Sequence, residues 1–349
     1  MSYTNGLDKP SDYFNTVLYT GNGSDGHAIT GVGFSPNWVW IKERSSTSSH
    51  SISDTVRGVT KRINPDLTAA EETLSGVMQS FDSDGFTNGA DNGVNENTQT
   101  YVAWNWKAGT TGSGTTTGSG TGKAYSYSVD TTSGFSIVKY VGNGTAGHTI
   151  PHHLGVAPAM IIFKNLSNGR SWMVYHKSLG ATKFLYLDVT DAVGTNSGFF
   201  NDTEPTSSVF SVGTANNTNY NGETIIAYCF AEKQGYSKFG SYVANGGGAD
   251  STFVYLGFKP AWIMVKKSSG TQSWYIGDNK RLGYNPKNEN VNADTNGAEF
   301  SQDNWDVLSN GFKIKNNGAG VGTGGDTYIY MAFAEQPFVT STGVPATAR

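Results

Sequence analysis

The chain has 349 residues, a formal net charge of −4, and 15% charged residues against 13% aromatics. A disordered chain would be rich in charge and poor in aromatics, and a helical one would need Glu, Lys and Ala on its surfaces, so neither class fits. The acidic balance and scattered lysines build no field for nucleic acid.

Forty-five glycines and ten prolines, with abundant Thr, Ser and Asn, are what short strands and tight turns require, and the expected fold class is all-β. The single cysteine, Cys229, admits no intrachain disulfide. The opening MSYTNGLDKPSDYF has no basic start followed by an apolar run, so no signal peptide is expected. No apolar stretch approaches the ~20 residues of a membrane helix, so no membrane insertion is expected.

In chain order, residues 1–12 form a short arm broken by Pro10, too small to fold alone and expected to attach to a neighbouring protein. A first repeat occupies 13–108, a Gly/Ser/Thr linker of flexible composition 109–122, a second repeat 123–234, a third 235–338, and a tail 339–349. The division rests on three landmark sets. Pro36, Pro158 and Pro260 each precede an apolar run, and Lys42, Lys164 and Lys266 follow six residues after them. Farther on come YVAWNW, IIAYCFAE and YIYMAFAE, centred on Ala103, Ala227 and Ala332.

The runs WVWIK, MIIFK and WIMVK are apolar on both faces and predict central strands. TAAEETLSGVMQSF, from Thr68, is the one helix-like piece. About 100 residues of strand and Gly/Asn turn per repeat fit a two-sheet sandwich, so the architecture expected is three tandem, jelly-roll-like β-sandwich domains. The first repeat, behind its linker, is expected to move relative to the other two.

Motifs with chemical potential are few. GSGTGK at Gly118–Lys123 has Thr117 at the first glycine position of a phosphate loop and Ala124 after the lysine, so nucleotide binding is not expected there. DSDGF, from Asp82, lacks the spacing of a calcium loop and reads as a turn before a strand. His148, His152 and His153 are the densest candidate metal ligands. His27 occupies the turn matching His148, which favours local hydrogen bonding instead. No nucleophile motif or facing carboxylate pair is evident, and Glu232 and Glu335 recur in the FAE ends as structural residues would. Trp172 and Trp274 both lie fourteen residues after their proline, where the first repeat has His50. Beside polar neighbours they are the candidate carbohydrate-binding residues, stacking on sugar C–H faces; the opposing reading places both in the core.

The motifs LYTGNG, GFSPNWVWIK, YVAWNWKAG, KYVGNGTAGHTIPHHLGVAPAMIIFKN, SWMVYHKSL, GYSKFGSYVANG, FKPAWIMVKK and YIYMAFAEQPF together resemble a repeat family of bacteriophage structural proteins. That family is frequent in marine and cyanobacterial phages and is usually described only as a domain of unknown function. The resemblance covers nearly the whole chain. It implies a non-enzymatic virion protein without cofactors, assembled in the host cytoplasm. The role expected is a tail fibre or spike component in host attachment; the alternative is a head decoration or capsid fibre protein, and a glycan-active enzyme is the weakest option. The partners expected are other virion proteins through the N-terminal arm and a host cell-surface glycan. A homotrimer is also expected, because strands such as Trp38–Val39–Trp40 carry more large side chains than one small sandwich can bury.

Overall fold

The computed structural model describes residues 7–246, 251–281, 285, 287–318 and 320–346. Strands account for 46% of the chain and helix for 5%, so the protein is all-β. One antiparallel four-strand order appears in each of the three segments. In the first, Phe14–Thr20 lies beside Thr100–Trp106, then Trp38–Glu43, then Ser51–Asp54. In the second the order is Phe135–Val141, Thr224–Phe230, Met160–Asn165 and Met173–His176. In the third it is Ser237–Val243, Thr327–Pro337, Phe258–Lys267 and Trp274–Asp278. A further set of strands covers one face of each: His27–Thr30, Gly85–Asn88 and Met78–Asp82 in the first segment, for example.

The two-faced central strands follow from where their alternate side chains go. Val39 and Ile41 enter the first segment's own core, as Ile161 and Phe163 do in the second and Ile263 and Val265 in the third. The other face, carrying Trp38 and Trp40, Met160 and Ile162, and Trp262 and Met264, enters one shared cluster built from all three segments. Ring contacts close a triangle there: Trp38 to Tyr228 at 4.8 Å, Phe230 to Phe333 at 6.0 Å, and Trp106 to Trp262 at 5.6 Å. Each such pair contributes about 0.5–1.5 kcal/mol beyond its area burial. The large side chains that suggested a homotrimer are therefore consumed between segments of one chain: Trp38 and Trp40 are each 1% exposed. The first segment is packed against both others and is not an independently moving body.

Several sequence expectations are corrected. Residues 109–122 are not a flexible linker: Thr110–Thr115 pairs with Ala124–Asp130, and Thr117–Gly118 with His148–Pro151. Its glycines make room, since a Cβ at Gly112 would lie 2.6 Å from the Tyr127 hydroxyl and one at Gly114 2.9 Å from the Tyr125 ring. Of the arm, Leu7 joins the shared core and Pro10–Asp12 forms a 3-10 turn with Pro10 buried, so this stretch docks on its own chain. Residues 1–6 of the arm lie outside the described residues.

TAAEETLSGVMQSF is not helical but contributes the short strands Glu72–Thr73 and Met78–Asp82, the first pairing with Lys61–Arg62. Pro260 lies within a strand, at an irregularity in its pairing, where a missing N–H is tolerated. The third landmark is also two residues off. Trp104 pairs with Trp40, Tyr228 with Ile162 and Met331 with Met264, so the counterpart of Ala103 and Ala227 is Tyr330 rather than Ala332. Tyr330 fits because Gly240 lies opposite it, where a Cβ would come within 2.5 Å of its hydroxyl.

Candidate functional site

Trp172 and Trp274 are 0% and 1% exposed and present no ring to solvent, which corrects the carbohydrate-binding assignment. Their indole N–H groups reach into neighbouring segments instead. Trp172 Nε1 donates to the carbonyls of Asn64 (3.0 Å) and Leu67 (3.2 Å), and Trp274 Nε1 to that of Tyr186 (2.8 Å). His50 does the same, its Nε2 donating to the Asn292 carbonyl at 2.9 Å while Nδ1 accepts from Trp40 Nε1 at 2.8 Å. The position fourteen residues after each proline thus joins second to first, third to second, and first to third.

The lysines run the same circuit. Lys42, Lys164 and Lys266 are fully buried, and burial pulls each amine down to about 8. Each donates to the carbonyl six residues on, that of Ser48, Arg170 or Gln272. Each also crosses to the next segment, Lys42 to Asn296 O (3.3 Å), Lys164 to Thr68 O (2.8 Å) and Lys266 to Thr190 O (2.9 Å).

A second circuit uses the residue eighteen after each proline. Asp54 accepts from Tyr228 Oη at 2.7 Å, and Asp278 from Trp104 Nε1 at 3.0 Å. His176 donates from Nε2 to Tyr330 O at 3.2 Å. Asp54 and Asp278 are each paired with a buried arginine, Arg57 and Arg281. Removing one member of such a buried pair costs about 3–5 kcal/mol, so these carboxylates are structural.

His148, His152 and His153 point to separate partners rather than to one centre. His148 Nδ1 donates to Asn219 Oδ1 (3.0 Å) and its Nε2 accepts from Thr116 Oγ1 (2.6 Å). His27 makes the matching bond to Asn95 Oδ1 at 2.7 Å, as the shared turn led one to expect. His152 donates to Thr206 O at 3.1 Å, and burial holds its pKa near 4. His153 stacks on Tyr127 with ring centroids 3.7 Å apart. Among the described residues no group of three or more His, Cys, Asp or Glu is placed to hold a metal ion. Cys229 is buried and its thiol pushed well up by desolvation, so it is inert.

What lies open is a cleft of about 700 Å³ where the second and third segments meet. Its second-segment wall carries Val156, Tyr175 and Glu204, its floor Glu232 and Lys233 of the connecting chain, and its third-segment wall Lys238 and Tyr255. Glu204 is engaged on both oxygens, by Tyr175 Oη at 2.5 Å and Ala181 N at 2.7 Å, and burial, helped by the bond to Glu204, raises the tyrosine pKa. Glu232 pairs with Lys177 at 2.5 Å, and Glu335 with Lys259 at 2.8 Å, so both FAE glutamates sit in ion pairs.

Sequence reasoning missed this cleft. Its one local signal is TFVYLGF, in which Phe253 and Tyr255 alternate with the buried Val254 and so put two aromatics on the outer face of an edge strand. The chain belongs to a family described as a domain of unknown function (DUF7483), which matches residues 9–337 and so runs unbroken through all three segments. No curated protein and no solved structure matches the chain.

Proposed function

We propose that the protein is a non-enzymatic structural component of a bacteriophage particle, a tail fibre or spike head that contacts the host surface. In this reading the three segments are copies of one jelly-roll-like sandwich module. The observation that carries it is where the chemistry is spent. The buried lysines, the aspartate–arginine pairs, His50 and His176, and the indoles of Trp172 and Trp274 all join segment to segment. Such a molecule is built for rigidity, as a particle exterior requires, and the motif resemblance to phage structural proteins points the same way.

Attachment to other virion proteins is assigned to the end where residues 8 and 341 meet, with Ser341 N donating to Asp8 Oδ1 at 2.7 Å. Host contact falls to an exposed surface, for which the inter-segment cleft is the best-formed candidate. Immunogold labelling of purified particles tests the reading. Label on the tail supports it, label on the capsid supports a head decoration instead, and absence of the protein from particles overturns both.

A further inference from the structure

We propose that the cleft between the second and third segments binds a carboxylated saccharide, an inference that rests on the host-contact reading and names its ligand class. The cleft volume of about 700 Å³ lies in the ~300–1,000 Å³ range of small-ligand sites. Tyr255, 46% exposed on the third-segment wall, and Val156, 44% exposed on the opposite one, offer apolar surface against which a sugar C–H face can lie.

The charge balance selects the sign of the ligand. Three lysines, 177, 233 and 238, and two glutamates, 204 and 232, line the cleft. Both carboxylates and Lys177 are committed to protein partners. Lys238 spends one N–H on the Tyr255 carbonyl at 2.9 Å, with its ammonium 5.1 Å from the Tyr255 ring centroid. The Lys233 ammonium makes no hydrogen bond or salt bridge among the described residues, although Asp130, outside the cleft lining, acts on it electrostatically. Lys238 therefore sets an ammonium with unspent donors beside an aromatic ring in a lining that holds one more lysine than glutamate, the pairing that an acidic sugar ring satisfies with its carboxylate and its C–H face together. Lysine suits this role as a compact charge with rotatable donors.

The test is calorimetric titration of the full chain with tetragalacturonate, a guluronate tetrasaccharide and a hyaluronan tetrasaccharide. The comparisons are the methyl ester of tetragalacturonate and a κ-carrageenan tetrasaccharide, which carries sulfate and no carboxylate. At least one uronate should bind, with the galacturonate preferred over its ester by about tenfold if it is the one that binds. Tyr255→Ala should weaken binding about fivefold. The Lys233→Met/Lys238→Met double variant should weaken it about tenfold and remove its salt dependence.

Tyr255 is exposed and Lys233 and Lys238 are half-buried, so an unchanged melting temperature shows that each variant folds. Phe253→Ala, on the same strand but outside the cleft, should bind as wild type. The inference is overturned if no uronate binds, if ester and acid bind alike, if carrageenan binds more tightly than any uronate, or if the double variant retains full affinity. Its failure is separable from that of the host-contact reading. Particles that carry the protein while the titrations fail leave the attachment role standing and remove the ligand assignment.

Discussion

Replacing Lys266 with methionine preserves the length and most of the volume of the side chain but deletes an ammonium that contacts three carbonyls. These are Thr190 O at 2.9 Å in the second segment, and Lys267 O at 3.1 Å and Gln272 O at 2.7 Å in its own. Hydrogen bonds from a charged donor contribute about 1.5–3 kcal/mol each, so the three together stabilise by roughly 4–9 kcal/mol. Against this stands the cost of burying the charge. The drop in its pKa from 10.5 to about 8 corresponds to about 3 kcal/mol at ~1.4 kcal/mol per unit, which methionine recovers. Thr190 O also keeps a second donor, Gln272 N at 2.8 Å, which places the net loss a little below the middle of the remaining range of roughly 1–6 kcal/mol, at about 3 kcal/mol. With an unfolding entropy of ~2.1 cal/mol/K per residue, a cooperative unit of this size should lose about 4 °C in Tm. Differential scanning calorimetry at pH 7 measures it directly. A Lys266→Met protein melting within 1 °C of wild type would refute the reasoning, because the clamp would then be an ornament on an interface held by its aromatic core alone.

The remaining predictions concern the same inter-segment contacts. Trp172→Ala and Trp274→Ala should each cost about 3–5 kcal/mol, seen as a large fall in Tm; an unchanged Tm would return these residues to the surface. Acid should destabilise the fold from pH 6.5 downward. Burial depresses His152 and His176 to about 4 and His50 well below its ordinary value, so the unfolded chain takes up protons first and stability falls as pH drops from 6.5 toward 4. Urea midpoints at pH 7, 5.5 and 4.5 should show this, with His176→Gln reducing the slope by up to about 1.4 kcal/mol per pH unit; an unaltered slope would mean that His176 is not held neutral. Truncation after residue 234 removes Trp262, Met331 and Phe333 from the shared core, and the fragment should be protease-sensitive and bind a hydrophobic dye. A protease-resistant fragment with wild-type-like cooperative melting would show that the segments fold independently.

How far the sequence could be read follows from what each residue contacts. The two-faced strands and the six-residue proline-to-lysine interval were legible, because strand period and burial act locally. The destination of the second face was not. An apolar surplus looks the same whether a second chain or another part of the same chain covers it, and Trp38 met Tyr228 of its own chain. Trp172 and Trp274 misled for a related reason. Their polar sequence neighbours do not form a wet rim: the carbonyls of Arg170 and Gln272 accept from the buried Lys164 and Lys266, and Asp188 and Asp294 accept from the tryptophan backbone N–H groups at 3.0 and 2.8 Å. In 109–122, a low-complexity composition concealed glycines chosen to admit tyrosine rings.

The second circuit is not uniform: Asp54 and Asp278 accept bonds from their neighbours, whereas His176 donates. In an assembly of three identical chains one substitution alters all three junctions at once, so none can specialise without the others. Three segments joined in one chain escape that constraint, and each junction can drift alone. Linkage also sets the behaviour on dilution. Separate subunits dissociate as concentration falls, whereas partners on one chain keep a fixed effective concentration. Dilution therefore cannot separate the three segments.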